Sequence, residues 1–113
     1  MVKERLLSWF AGSEYSMELR HLRYFLAVAE ELHFARAAEK LHIEQSPLSR
    51  AIKELEEELG VVLLARTTRS TRLTRAGKLF IVHVRRVFSA LEQARDSVTV
   101  SYTHLTLPTI LLV

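Results

Sequence analysis

Apolar residues recur along this chain at helical spacing, break at polar points and then change rhythm. Leu22, Phe25, Leu26, Ala29 and Leu32 form one stripe, which His33 ends. That spacing predicts a first helix over residues 19–31. Phe34, Ala38 and Leu41 mark a short second helix over 34–41. A polar break follows. Leu48, Ile52, Leu55 and Leu59, spaced 4, 3 and 4 apart, then predict a third helix over 46–59. Pro47 falls in its first turn, where a missing N–H does no harm, and Gly60 stands where the helix should stop. Residues 61–65 are an apolar, partly β-branched run. Thr67, Thr68, Ser70 and Thr71 turn the chain, and Arg72-Leu73-Thr74 returns it, which predicts a small β-hairpin.

The longest helical pattern covers 75–96. Phe80, Val84, Val87, Leu91, Ala94 and Val98 are spaced 4, 3, 4, 3 and 4 apart, as in a coiled-coil seam. A second stripe of Ile81, Val82 and Phe88 makes this helix apolar on more than one side. One side can cover its own domain, and the other asks for a partner. The alternative is a helix folded back entirely on one core.

Both ends of the chain differ from its middle. Residues 1–16 are punctuated by Gly12-Ser13 and Ser16 and read as an extension outside the domain, with Met17 as a possible true start. Residues 97–113, SVTVSYTHLTLPTILLV, contain no Asp, Glu, Lys or Arg, and Pro108 interrupts them. No helical period is expected to continue there. The tail reads as a strand entering a missing domain or as a foreign, frameshifted sequence, with the second preferred.

At about 100° per residue, the face opposite the third helix's stripe carries Ser46, Ser49, Arg50 and Lys53. It is small, polar and cationic, which suits a DNA major groove. A short helix, a tight turn and a helix with a basic outer face make a helix-turn-helix over about 34–53. Arg50 and Lys53 have the reach for guanine O6/N7 or phosphate oxygens. Ser46 and Ser49 can bond phosphates or base edges, and Gln45 suits adenine. For Ser46 the alternative is a helix cap, and for Lys53 it is a pair with Glu56 or Glu57. In the hairpin, Arg69 is expected at the tip with Ser70 beside it. Arg66 ends an apolar strand and is read as bracing the domain.

Charge adds direction. The chain has 113 residues and a net charge of +3. The segment 66–91 holds seven Lys or Arg residues and no acid, while Glu54, Glu56, Glu57 and Glu58 cluster just before it. With no cysteine, disulfides and zinc-finger chemistry are excluded. No apolar stretch approaches the roughly 20 residues that span a bilayer, and the N-terminus makes a poor signal peptide. A cytoplasmic protein without membrane association is expected. The five histidines are scattered, at 21, 33, 42, 83 and 104, and no glycine-rich phosphate loop is present. Neither an enzyme nor a cofactor or metal is therefore expected.

Residues 17–77 resemble the DNA-binding domain of LysR-type transcriptional regulators. The resemblance is carried by Ala37-Ala38 with Leu41, by Gln45 through Arg50, by Leu55-Glu56 with Leu59-Gly60, and by Leu73-Thr74 with Ala76-Gly77. It implies a mainly α fold: a winged helix-turn-helix over 17–74, then a linker helix over 75–96. It also implies a homodimer made through that helix, with Phe80, Val84, Val87, Leu91 and Ala94 along the seam, and tetramers only in a full-length form. The implied partner is double-stranded DNA bearing an interrupted palindrome. Family contacts fall on Gln45, Ser46, Pro47, Ser49 and Arg50, and in the wing on Arg69 and Ser70. Lys53 joins this set from the helix pattern alone.

Two positions depart from the family. Proline or alanine is common where Ser46 stands, and Glu44 occupies a usually small or polar position. The larger departure is that no effector-binding domain follows the linker helix, so no small-molecule site is expected in this chain. The reading is a sequence-specific regulator truncated before its effector domain. The alternative is a fragment that dimerises with full-length regulators and interferes with them.

Overall fold

A reciprocal arrangement at Glu18 starts the first helix, α1 (Leu19–Glu31). The Glu18 N–H donates to His21 Nδ1 at 3.0 Å, which gives one of the orphan N-terminal donors an acceptor. The computed structural model describes residues 17–112. The expectation for residues 1–16 lies outside them.

α1 is followed by α2 (Phe34–Leu41) and α3 (Gln45–Leu59), then by β1 (Leu64–Arg66) and β2 (Thr71–Leu73), and finally by α4 (Arg75–Leu112). The fold is mainly helical with one two-stranded antiparallel hairpin, as expected for a winged helix-turn-helix. Leu64 pairs with Leu73, Ala65 with Arg72 and Arg66 with Thr71.

The three short helices surround Phe25, Val28, Ala37, Ala38, Leu48, Ala51, Ile52 and Leu55, all buried. Leu63 and Leu64 from the hairpin and Ile81 from α4 are buried too. The Phe25 ring meets Phe80 edge-on, with centroids 5.3 Å apart. Alanines at 37, 38 and 51 let the helices approach closely, so that they can close over a small core.

Several expectations change in detail. Leu32 belongs to the stripe predicted for α1, but it is exposed and left-handed, with φ 54. Its N–H closes the helix onto the Val28 carbonyl at 2.6 Å, so Val28 fills the core in its place. The first strand starts at Leu64, not at 61. Val61 is spent on the helix exit, where its N–H reaches the Glu56 carbonyl, and both Val61 and Val62 are exposed. Thr74 is not part of the hairpin. Its hydroxyl accepts the Gly77 N–H at 3.0 Å and so begins α4.

α4 also outruns its expected end at 96 and continues through the uncharged tail to Leu112. Between Asp96 and Leu107 there is no glycine or proline to stop it, loss of charge does not end a helix, and Pro108, expected to interrupt the tail, lies within the helix. The chain divides into two units, residues 1–81 and 82–113. In the second unit Val84 is buried, whereas Val87, Leu91, Val98 and Val100 are exposed. No helix among the described residues is long and apolar enough to cross a membrane.

Candidate nucleic-acid interface

α3 buries Leu48, Ala51, Ile52 and Leu55 and turns the rest of its surface outward. Gln45, Ser46, Pro47, Arg50 and Lys53 are exposed, and Ser49 is half-buried. The polar face predicted from the helical period therefore exists. Ser46 is not the cap, however. Glu44 holds that position with extended backbone (φ −75, ψ 157) and forms no side-chain capping bond. Ser46 thus sits inside the first turn with its hydroxyl uncommitted to the helix start.

Arg50 and Lys53 form no ion pair among the described residues, so the alternative of an intrahelical Lys53 pair is not realised. Glu56, one of the two partners considered for it, is engaged elsewhere. Its Oε2 accepts the N–H groups of Leu63 and Leu64 at 2.8 and 3.1 Å.

Charge is segregated along α3. Its cations, Arg50 and Lys53, lie in its middle turns, while Glu54, Glu57 and Glu58 toward its end share a depression with Glu18, Arg20 and His21. His21 is buried and reaches Glu54 Oε1 through Nε2 at 3.1 Å. Because Nδ1 already accepts from Glu18, the ring hydrogen lies on Nε2, which donates to Glu54. An anionic polymer is thereby favoured along the face of Arg50 and Lys53 and opposed at the end of α3.

A groove between α3 and the hairpin is lined by Ser49, Arg50, Lys53, Glu56, Leu64 and Arg66. Arg66 lies with its guanidinium 3.8 Å from the centre of the Phe34 ring, so it braces the hairpin stem against α2.

The hairpin tip is built by Thr67. Its hydroxyl accepts the N–H groups of Arg69 and Ser70 at 3.2 and 2.9 Å, and the Thr67 N–H donates to the Ser70 carbonyl at 2.8 Å. Ser70 Oγ also lies 3.1 Å from Thr67 Oγ1. Ser70 is thus tied into the turn, while Arg69 stands exposed at the tip. The side-chain roles of His21, Glu56 and Thr67 carry no periodic signal in the sequence. Only the turn composition around Thr67 points to it.

Of the seam residues, Phe80 is half-buried against Phe25 and Val84 is buried within the single chain. Val87 and Leu91 are 38% and 45% exposed, and Ala94 is exposed.

Residues 19–78 match the family model described as bacterial regulatory helix-turn-helix protein, lysR family. The chain belongs to the lysR family. The relatives that it matches are described as transcriptional regulators. The chain is 57% identical over 79 residues to the uncharacterized regulator YnfL of Escherichia coli, covering 70% of this chain and 27% of that one. It is also 57% identical over 77 residues to AlsR of Bacillus subtilis, covering 68% and 26%. The lysR-family chain therefore spans about a quarter of the length of these relatives.

Among solved structures it resembles the BenM DNA-binding domain in complex with catB site 1 DNA. The TM-score is 0.71 at 48% identity, over 74% of this chain and 93% of that one. It likewise resembles the DNA-binding domain of CbnR in its DNA complex, with a TM-score of 0.71 at 42% identity, over 75% and 98%.

Proposed function

We propose that this lysR-family chain binds double-stranded DNA in a sequence-specific manner, as the DNA-binding part of a cytoplasmic transcriptional regulator. α3 enters the major groove by its first turns. Arg50 and Lys53 meet guanine O6/N7 or phosphate, Gln45 meets adenine or phosphate, and Ser46, Pro47 and Ser49 line the approach. Arg69, with Ser70 behind it, follows the adjacent backbone or minor groove.

The observation that carries this reading is the exposure of Arg50 and Lys53, with no ion pair among the described residues, on the outer face of a helix whose opposite face is buried. The DNA complexes of the similar BenM and CbnR domains support it.

A dimer through α4 places two such helices on an interrupted palindrome. The seam proposed for a partner is the exposed stretch of α4 that starts at Val87 and continues through Leu91 and Ala94.

The test is the salt dependence of binding to a duplex selected from a random-sequence pool with this chain. Log K should fall with log salt by about 0.9 for each phosphate contacted. A slope near zero overturns the reading.

A further inference from the structure

We propose that Glu56 is a positioning residue for DNA recognition, holding the wing at a fixed place against the recognition helix. The inference rests on the DNA-binding reading above, because it assigns Glu56 no contact with DNA.

The geometry around Glu56 is unusually concentrated. Its backbone carbonyl accepts the N–H groups of Gly60 and Val61 at 2.8 and 3.2 Å. Its carboxylate accepts those of Leu63 and Leu64 at 2.8 and 3.1 Å. One residue of α3 thus receives four N–H groups from the short segment that leads into β1. Leu63 and Leu64 are buried, so losing this acceptor strands two donors away from water.

The base of the hairpin is also closed on its other side. The Thr74 hydroxyl donates to the Val62 carbonyl at 2.6 Å, and the Thr74 N–H donates to the Leu63 carbonyl at 2.9 Å. Those bonds join the residues just before β1 to the residue just after β2. The carboxylate of Glu56 ties the entry to β1 directly to α3. The strand held in this way leads through Arg66 to the turn that presents Arg69.

Two roles for Glu56 are separable. Glu56 shares a groove with Arg50, Lys53 and Arg66, so as a bare negative charge it would repel phosphate, and removing it would tighten binding. As a geometric clasp, its removal would detach the wing, and Arg69 would lose its contribution. Glutamine distinguishes them. Its single carbonyl oxygen can accept both N–H groups while the charge is gone.

The experiment is a double-mutant cycle on the full chain. Arg69→Ala is measured in the parent, in Glu56→Gln and in Glu56→Ala, on a duplex selected from a random-sequence pool with the parent. Melting curves and amide exchange at Leu63 and Leu64 accompany each binding isotherm. Arg69→Ala should weaken binding about tenfold in the parent and in the Gln background, and flatten the salt slope by about one unit. In the Ala background it should change affinity by less than about twofold and leave the slope as it is. The Leu63 and Leu64 amides should exchange faster only in Glu56→Ala. If Glu56→Ala does not fold, Glu56→Asp, one methylene shorter, takes its place.

Equal Arg69→Ala losses in all three backgrounds overturn the positioning role while DNA binding stands. So does tighter binding by both Gln and Ala variants. No effect of Arg69→Ala in the parent removes the wing contact, and this inference with it.

Discussion

His21 donates through Nε2 to Glu54 across 3.1 Å while its Nδ1 accepts the Glu18 N–H at 3.0 Å. A single buried imidazole therefore starts α1 and ties it to α3, residues 33 positions apart. His21→Ala removes both bonds and leaves a space in a closed core. It should cost about 2–4 kcal/mol in urea unfolding. Glu54 is half exposed, and Glu54→Ala should cost clearly less. The reverse order would contradict a core role for His21.

Gly77 is fixed by close approach. A Cβ there runs into the Leu63 carbonyl oxygen and presses on the Leu73 side chain. Because the obstacle is backbone, Gly77→Ala should lower stability by about 1–3 kcal/mol despite its better helix propensity. Thermal unfolding checks this. A variant as stable as the parent would mean that α4 does not begin against the hairpin.

Glu31 and Lys40 link the end of α1 to α2 at 2.6 Å. The hydrogen bond from Lys40 holds the Glu31 carboxyl below its ordinary value of 4.5, and Glu31 in turn raises Lys40. A carboxyl lowered by folding adds stability above its unfolded value, and that stability is lost as pH falls through the folded one. The contribution should therefore disappear below about pH 4.5 and be complete at neutral pH. Following the Glu31 side chain by NMR during titration, Lys40→Ala should move its midpoint upward. An unmoved midpoint contradicts the pair.

Leu91 is 45% exposed on α4, next to Val87 on the proposed seam. Leu91→Asp places a charge where an apolar partner is expected, at high cost if buried. Sedimentation at micromolar concentration should shift from dimer for the parent to monomer for the variant, and affinity for a two-half-site duplex should fall. A monomeric parent would assign the stripe to its own chain.

Much of this architecture is legible in the sequence because helices with one buried face advertise it. The spacing of Leu22, Phe25 and Ala29, of Phe34 and Ala38, and of Leu48, Ile52 and Leu55 places all three short helices within about one residue, and Gly60 marks a true stop. The polar start of α3 is readable for the same reason. What is hidden depends on partners distant in sequence or on backbone donors. Nothing periodic announces that Glu56 will cap a strand seven and eight residues later, or that His21 will meet Glu54. The extent of α4 is hidden differently. The change from charged to uncharged composition after Asp96 suggests a boundary, but helical hydrogen bonding ignores that change.

The central claim is that the first turns of α3 read DNA, and Arg50 tests it most directly. Arg50 is exposed, stands opposite Leu48 and Ile52, and has no ion pair among the described residues, so its removal should leave folding intact. Binding isotherms of the parent and of Arg50→Ala on a selected duplex and on an unrelated one decide the matter, with melting curves as control. Loss of a bidentate base contact should cost about 1–3 kcal/mol, or roughly five- to 150-fold in affinity, on the selected duplex only. Unchanged affinity at an unchanged melting temperature would contradict the account.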